Sequence, residues 1–517
     1  MTTSSISSAE IVVAAFPLRA IEEVVDASGA ASAVEARIAG GGRPRQLSAR
    51  TLLVGICLAL CDHRPAHLTR IHEALVSLSD DDRLRLGVVA TWRCGPHLLT
   101  YRQVERTSRL VTTALSKDVP DGRPSAQLRE VVDSLVEASI PKRWKDASGS
   151  LAVDWSDIES HSRPPEEKGG VCADSEASWG RRKSDQPGVK DELFFGYELQ
   201  AATMVKEECG EPMPELVRRI LLTTCSVDPP KAFVPVLEDM VASGTKVTDV
   251  CSDSGYAHRR AEHWSLPLRA LGAEIVTDLH PNDRGPRGTF MGAVASNGNL
   301  YCPAAPRSLL ELGPLGRQVS ADETAAHDVK TEELSRYKLG RLSHADADGY
   351  HRVMCPAVMG KLRCPLREES MSLSNDRPEV LSPPDSPPPC CCQQTLTVGP
   401  EVHAKTAQKH AYPSKEHRRS YARRTAVERT FSTVKDPATN DVRRGWCRMT
   451  GIAPVMLMLA CVFVVRNDRV IRAFEERQAD GARRIAKGLA PKTRKRRRKT
   501  IGDLLAVASE PHTAKKT

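Results

Sequence analysis

Ser420-Tyr-Ala-Arg-Arg-Thr-Ala-Val-Glu-Arg-Thr-Phe-Ser-Thr-Val-Lys435 is the stretch on which the fold and chemistry of this chain turn. Its polar and apolar residues recur at helical spacing. With Tyr421 at zero and about 100° per residue, Arg424 falls near 300°, Glu428 near 340° and Lys435 near 320°. The four side chains therefore share one stripe, about 60° wide. Val427, Phe431 and Val434 fall at about 220° to 280°, an apolar seam bordering it. One helix would thus bury a seam and hold a charged row beside it. A carboxylate with a guanidinium one turn before it and an ammonium two turns after it suits phosphate chemistry. Glu428 offers a hard oxygen to a divalent cation, Arg424 and Lys435 can hold neighbouring phosphates, and Tyr421 can donate its hydroxyl to another.

The charge around this stretch points the same way. The 517 residues carry a formal net charge of +9. Residues 1–400 hold 46 Lys and Arg against 54 Asp and Glu, residues 401–450 hold 12 against 5, and residues 481–517 hold 12 against 2. All of the excess lies in the last quarter of the chain, the footprint expected of a phosphate-binding surface. An anionic membrane is the competing partner. The longest apolar run, Ile452–Val465, has 14 residues and contains Pro454, which fits a buried helix better than a span of about 20. Met1–Glu10 is polar and does not read as a secretory signal. With 15 scattered cysteines, reduced thiols in a cytoplasmic compartment are expected. A mean hydropathy of −0.36 and 40% hydrophobic residues exclude a polytopic membrane protein and a wholly disordered chain.

Working outward, residues 1–145 read as an all-helical domain. Ser48 caps a helix over Ala49–Cys61, and Ala66–Leu78 and Tyr101–Leu115 show helical spacing. Cys57, Cys61, His63 and His67 lie close in sequence; small buried thiols on a core helix account for the cysteines. From Ser148 the period changes. Leu151-Ala-Val-Asp154-Trp reads as a strand, as does Leu193–Gln200 after a polar loop over residues 161–191. Leu216–Thr223 and Val234–Ser243 read as connecting segments before Lys246–Tyr256 and the short strand Ala273–Asp278. Strands joined by crossovers predict an α/β unit. Residues 291–400, with Cys302, Cys355, Cys364, Cys390, Cys391, Cys392 and the breaker run Ser382–Pro389, read as an irregular insertion. Residues 481–517 read as a disordered basic tail.

The Tyr421, Arg424, Glu428 and Lys435 pattern resembles the Tyr-Arg-Glu-Lys signature of bacterial insertion-sequence DDE transposases at all four positions. Arg443-Arg-Gly-Trp-Cys-Arg-Met-Thr-Gly451 is similar to the continuation found in one actinobacterial-type branch. The resemblance implies an RNase H-like catalytic domain with three acidic metal ligands, two on strands and one on a late helix. Asp154 ends the Leu-Ala-Val strand, and Asp253 stands in Ser252-Asp-Ser-Gly-Tyr256, similar to the family's Asp-x-Gly-Tyr motif. Asp157 and Asp249 are near competitors; Asp154 continues the apolar strand, and Gly255 permits a tight turn after Asp253. The interval to Glu428 is long, and many such enzymes carry an insertion there.

The expected arrangement is then an RNase H-like core in two parts, 146–290 and 401–480. It is preceded by the helical domain (1–145, binding the DNA ends), interrupted by the Cys/Pro-rich insertion (291–400), and followed by the tail (481–517). Asp154, Asp253 and Glu428 would hold two Mg²⁺ or Mn²⁺ ions about 3.5–4 Å apart, and Tyr421, Arg424 and Lys435 would contact DNA. No protein nucleophile is needed. The expected partners are double-stranded DNA (terminal inverted repeats and target) and a second copy in the DNA complex, with no membrane and with location at the bacterial nucleoid. Cys355, Cys364, Cys390 and Cys391 offer four thiolates for a structural Zn²⁺, although adjacent ligands rarely both reach one ion. The alternatives are a catalytically inactive or repurposed transposase-derived DNA-binding protein, and a nuclease that only hydrolyses.

Overall fold

The computed structural model describes residues 18–38, 45–63, 65–92, 95–117, 122–167, 170–182, 190–316 and 319–490. Their contacts form two units, one through Asp468 and one from Arg469. The first unit is a mixed α/β structure around a six-stranded sheet. Its strands are β1 (Ser150–Glu159), β2 (Ser178–Arg182), β3 (Glu192–Met204), β4 (Val217–Thr224), β5 (Asp249–Ser252) and β6 (Glu274–Thr277). Apart from the short β2, which pairs with the start of β3, the order is β4-β3-β1-β5-β6. β3 runs antiparallel to both β1 and β4, whereas β1, β5 and β6 are parallel.

Burial explains these strands. Leu151, Ala152 and Val153 on β1 and every residue of β4, its arginines and threonines included, are buried, so neither stretch alternates between a buried and an exposed face. The expected connection at Leu216–Thr223 is therefore a core strand. Its Arg218 and Arg219 are tolerated inside because Glu137, from the Ala126–Ala138 helix, accepts from both, at 2.9 and 2.6 Å. Val234–Ser243 belongs to a helix, Pro229–Ala242. The expected loop over 161–191 contains β2, and a Cβ at Gly180 there would meet Phe194 at 2.3 Å, so a side chain would have to displace that ring.

The N-terminal region matches its reading at Ala49–Cys61, where Ser48 Oγ accepts from the Thr51 amide at 3.1 Å, and at Tyr101–Leu115. It is not all helical: Val89–Trp92 and Gly95–Leu98 form an antiparallel hairpin. Cys57 is buried, as expected, with its thiol hydrogen-bonded to that of Cys461, whereas Cys61 is only half-buried; His63 and His67 reach the carbonyls of Thr439 (3.1 Å) and Gly445 (2.8 Å). Asn440 Nδ2 also donates to the Leu60 carbonyl at 3.0 Å.

The insertion is more ordered than expected. Pro286–Phe290, Ala293–Ser296 and Asn299–Tyr301 make one three-stranded sheet. Gly340–Arg341, His351–Met354 and Thr395–Val398 make another, and the helix Ala321–Tyr337 begins with a Ser320/Glu323 capping box. Ile452–Val465 is buried, as its composition predicts, and no described helix is long and apolar enough to cross a membrane. The helix it opens runs from Ile452 to Ala486, so residues 481–486 are helical rather than disordered; residues 491–517, including the rest of the tail, lie outside the described residues.

Candidate active site

The site forms where the parallel pairing of β1 and β5 ends. These neighbours pair Ser150 with Asp249 and Ala152 with Cys251. Continuing that register by two residues brings Asp154 level with Asp253, which follows the last residue of β5; Asp154 does not end its strand as expected, because β1 continues to Glu159 against β3. Asp253 caps a one-turn helix, Ser254–Ala257, its Oδ1 accepting from the amides of Gly255 (2.9 Å) and Tyr256 (3.2 Å). Gly255 is not in a left-handed conformation, so the expected turn is not its reason for being glycine. A Cβ there would stand 2.5 Å from Trp155 Cη2. Tyr256 sits between Trp155 and Trp264, with ring centroids 4.6 and 4.5 Å away, and its hydroxyl donates to Gln200 at 3.1 Å. This aromatic column fixes the Asp253 turn against β1.

The third acid arrives from the Thr425–Lys435 helix. The expected single helix is broken: Lys415–Tyr421 is α-helical, Ala422–Arg424 forms a 3₁₀ turn, and Thr425–Lys435 resumes the α-helix. Val427, Phe431 and Val434 are buried as the wheel predicts, and Thr430 meets Thr203 of β3 at 3.2 Å. The charged row faces the strand ends. Arg424 Nη1 lies 3.0 Å from Asp154 Oδ2, its Nη2 donates to Glu428, and its guanidinium stands 5.6 Å from the Tyr421 ring centroid. Asp154, Glu428, Arg424 and Tyr421 thus converge, with Asp253 alongside.

The electrostatics of Asp154 follow from this crowding. Burial raises its carboxyl most, and the neighbouring charge of Asp253 adds to it. Arg424 and the Trp155 amide oppose the rise and Glu428 reinforces it, leaving the group at about 7. Burial also raises the Tyr421 hydroxyl, with Arg424 opposing and Asp278, Asp253 and Asp154 adding to the rise.

The two competing aspartates have other duties. Asp249 is fully buried and paired to Lys409 (2.7 Å) and Arg423 (3.1 Å). Asp157 pairs with Arg182 (2.5 Å) and Lys435 (3.0 Å); burial would raise its carboxyl, but these two cations hold it below the ordinary range. Lys435 also bonds Ser156 Oγ at 2.8 Å, so its ammonium is directed at β1. Arg182, Trp155, Gln200 and Trp264 carry no motif that marks them in the sequence as parts of this site. Of these, Trp155 has a local signal, since it adjoins Asp154.

Three carboxylates are the donor set a hard divalent cation takes, and the residues fit one: Asp253 and Glu428 both raise the cost of charging Asp154, and Arg424 already pairs with Asp154 and Glu428. Asp154, Asp253 and Glu428 would hold Mg²⁺ or Mn²⁺. Their donor atoms are spread more widely than a tight cluster, for among the described residues only His258, His280 and Asp283 have donor atoms all within 4.8 Å of one another. In that trio the imidazoles stack at 3.8 Å, and Lys405 holds Asp283 at 2.8 Å. Comparison with known proteins gives no relative: no family model matches the chain, and no curated protein matches it.

Proposed function

We propose that the chain is a DDE transposase with an RNase H-like catalytic core, cutting DNA at the ends of its element and joining them to target DNA. The observation that carries this reading is the convergence of three acids from distant parts of the chain. Asp154 on β1 and Asp253 directly after β5 come level on adjacent parallel strands, and Glu428 comes from a late helix through Arg424. Two acids on strands and one on a late helix is the arrangement that the resemblance implies.

A divalent cation bound by the three carboxylates would neutralise charge at the attacked phosphate and favour deprotonation of the attacking hydroxyl. The chain's own residues do the positioning. Arg424 stands beside Asp154 and Glu428 and carries a fork that can hold two phosphate oxygens side by side. Tyr421, stacked on His417 with centroids 5.8 Å apart, is held to donate to a third. The Trp155, Tyr256 and Trp264 column keeps the Asp253 turn rigid, so the acids are placed before DNA arrives.

The test is Mg²⁺-dependent nicking and strand transfer on a plasmid carrying the DNA that flanks the reading frame. Wild type should cleave and join, while Asp154→Ala and Glu428→Ala should bind that DNA in a gel-shift assay without cutting it. Cleavage by either variant refutes the assignment. Binding without cleavage by wild type points to a repurposed DNA-binding protein, and cleavage without joining to a hydrolytic nuclease.

A further inference from the structure

Five thiols from four places in the insertion come together away from the acids. Cys302 follows the strand Asn299–Tyr301, Cys355 follows His351–Met354, Cys364 lies nine residues on, and Cys390 and Cys391 belong to the short helix Pro389–Cys392. All five are buried. Cys302, Cys355 and Cys364 share one apolar cluster, Cys390 and Cys391 share its neighbour, and Leu366 packs against both. The Cys390 and Cys391 sulfurs are 3.9 Å apart. Among the described residues no disulfide links any of them.

Three of these cysteines precede proline: Cys302-Pro-Ala-Ala305, Cys355-Pro-Ala-Val358 and Cys364-Pro-Leu-Arg367. Proline presets the backbone for the second position of a tight turn. Two of the turns are closed by the Ala305 amide on the Cys302 carbonyl (2.9 Å) and the Arg367 amide on the Cys364 carbonyl (2.8 Å). Both turns place their cysteine in the same buried cluster, and Cys355, the third Cys-Pro, joins them there. Turns of one build that bring buried thiols from separate segments together point to a bound cation.

We propose that Cys302, Cys355, Cys364 and Cys391 form a structural zinc site that staples the insertion. Four thiolates in a tetrahedral set are a zinc coordination shell. The need for a staple is physical, because each of the two apolar clusters is small and small cores require cross-links. The set differs from the one expected from spacing, Cys355, Cys364, Cys390 and Cys391. Cys302 joins it, since it shares one buried cluster with Cys355 and Cys364. Of the adjacent pair, Cys391 is the ligand: it lies near Cys302, Cys364 and Arg367, with Cys390 as its hydrogen-bond partner at 3.9 Å. No three of these sulfurs lie within 4.8 Å of one another, so zinc would pull them inward.

The experiment uses the full chain purified without chelator, with metal content measured by mass spectrometry and zinc release followed during titration of the native protein with a mercurial reagent. Zinc should be present at about one per chain and leave as the thiols react. Cys302→Ser and Cys391→Ser should lower zinc content at least about tenfold, while Cys390→Ser and Cys392→Ser keep it. Cobalt substituted into the wild type should give sulfur-to-metal charge-transfer bands of a tetrahedral tetrathiolate, a readout that needs no variant. Iron in place of zinc, a native chain that takes up neither zinc nor cobalt, or Cys302→Ser with full zinc overturns the site. Loss of zinc in Cys390→Ser with retention in Cys391→Ser overturns the choice of fourth ligand.

Discussion

Replacing Asp154 by asparagine should make the protein more stable, not less, and only above a definite pH. The carboxyl ordinarily titrates at 3.8 but stands at about 7 in the folded chain, raised first by burial and then by Asp253. Below pH 4 folded and unfolded chains both carry the neutral acid, and its raised pKa then costs nothing. As pH climbs from 4 to 7 the unfolded chain ionises first, so folding must either hold the proton or bury a charge, and stability is lost throughout that window. Above 7 the loss is complete. The interval from 3.8 to about 7, at about 1.4 kcal/mol per pH unit, gives about 4 kcal/mol. That figure is a ceiling, since the surroundings of a buried carboxylate relax and draw in water when it is charged. Asp154→Asn keeps the shape and removes the charge, so its advantage over wild type should be small at pH 4.5, grow to about 2–4 kcal/mol by pH 8 and then level off. Urea denaturation across that range measures it. Added Mg²⁺ should stabilise wild type at pH 8 and largely spare the variant. A variant equal to or less stable than wild type at every pH would mean that the Arg424 pair outweighs burial, and would refute the reasoning.

Gly255→Ala should lower stability by about 1–3 kcal/mol in thermal denaturation, because its Cβ would stand 2.5 Å from Trp155 and 3.0 Å from Asp253 Oδ1; unchanged stability would show that the aromatic column yields freely. Asn467→Leu should cost about 2–4 kcal/mol in urea. Asn467 is fully buried and bonds both the Val217 amide (2.9 Å) and carbonyl (2.8 Å), groups that leucine would strand. Deleting residues 491–517, with nine Lys and Arg against two Asp and Glu, should flatten the salt dependence of DNA binding by about 0.9 in logarithmic slope for each phosphate that the tail neutralises, without touching cleavage. An unchanged slope would place that charge elsewhere than on DNA.

Elements are legible in sequence where local chemistry decides them. Ser48 capping Ala49–Cys61, the helical period over Tyr101–Leu115 and the apolar run into Asp154 are all short-range signals, and each lies where it is expected. β4 is hidden because its two arginines look like surface residues until Glu137, some eighty positions earlier, is brought beside them. The sheets of the insertion are hidden for a related reason. His351–Met354 pairs with Thr395–Val398 across about forty residues, and loop closure of that length leaves no periodic trace between the strands. At the site, the acids Asp154, Asp253 and Glu428 carry local motifs. What Arg424 and Lys435 do with them depends on which strand end the helix meets, and spacing along one helix cannot state that. The 3₁₀ break at Ala422–Arg424 adjusts where that meeting occurs.

The contacts of Leu60, His63 and His67 with Asn440, Thr439 and Gly445, and of Cys57 with Cys461, bear on how such a protein can change over time. The N-terminal helices are not a cassette on a tether. Their end is seated on the loop that follows the Glu428 helix and on the start of the helix after it, with side chains reaching main-chain carbonyls in both directions. Exchanging residues 18–115 for another helical unit would strand those carbonyls and open the space beside Cys461. A folded chimera therefore has to carry residues 439–461 together with its new N-terminus, and any lineage that rebuilds these helices must alter both segments in concert.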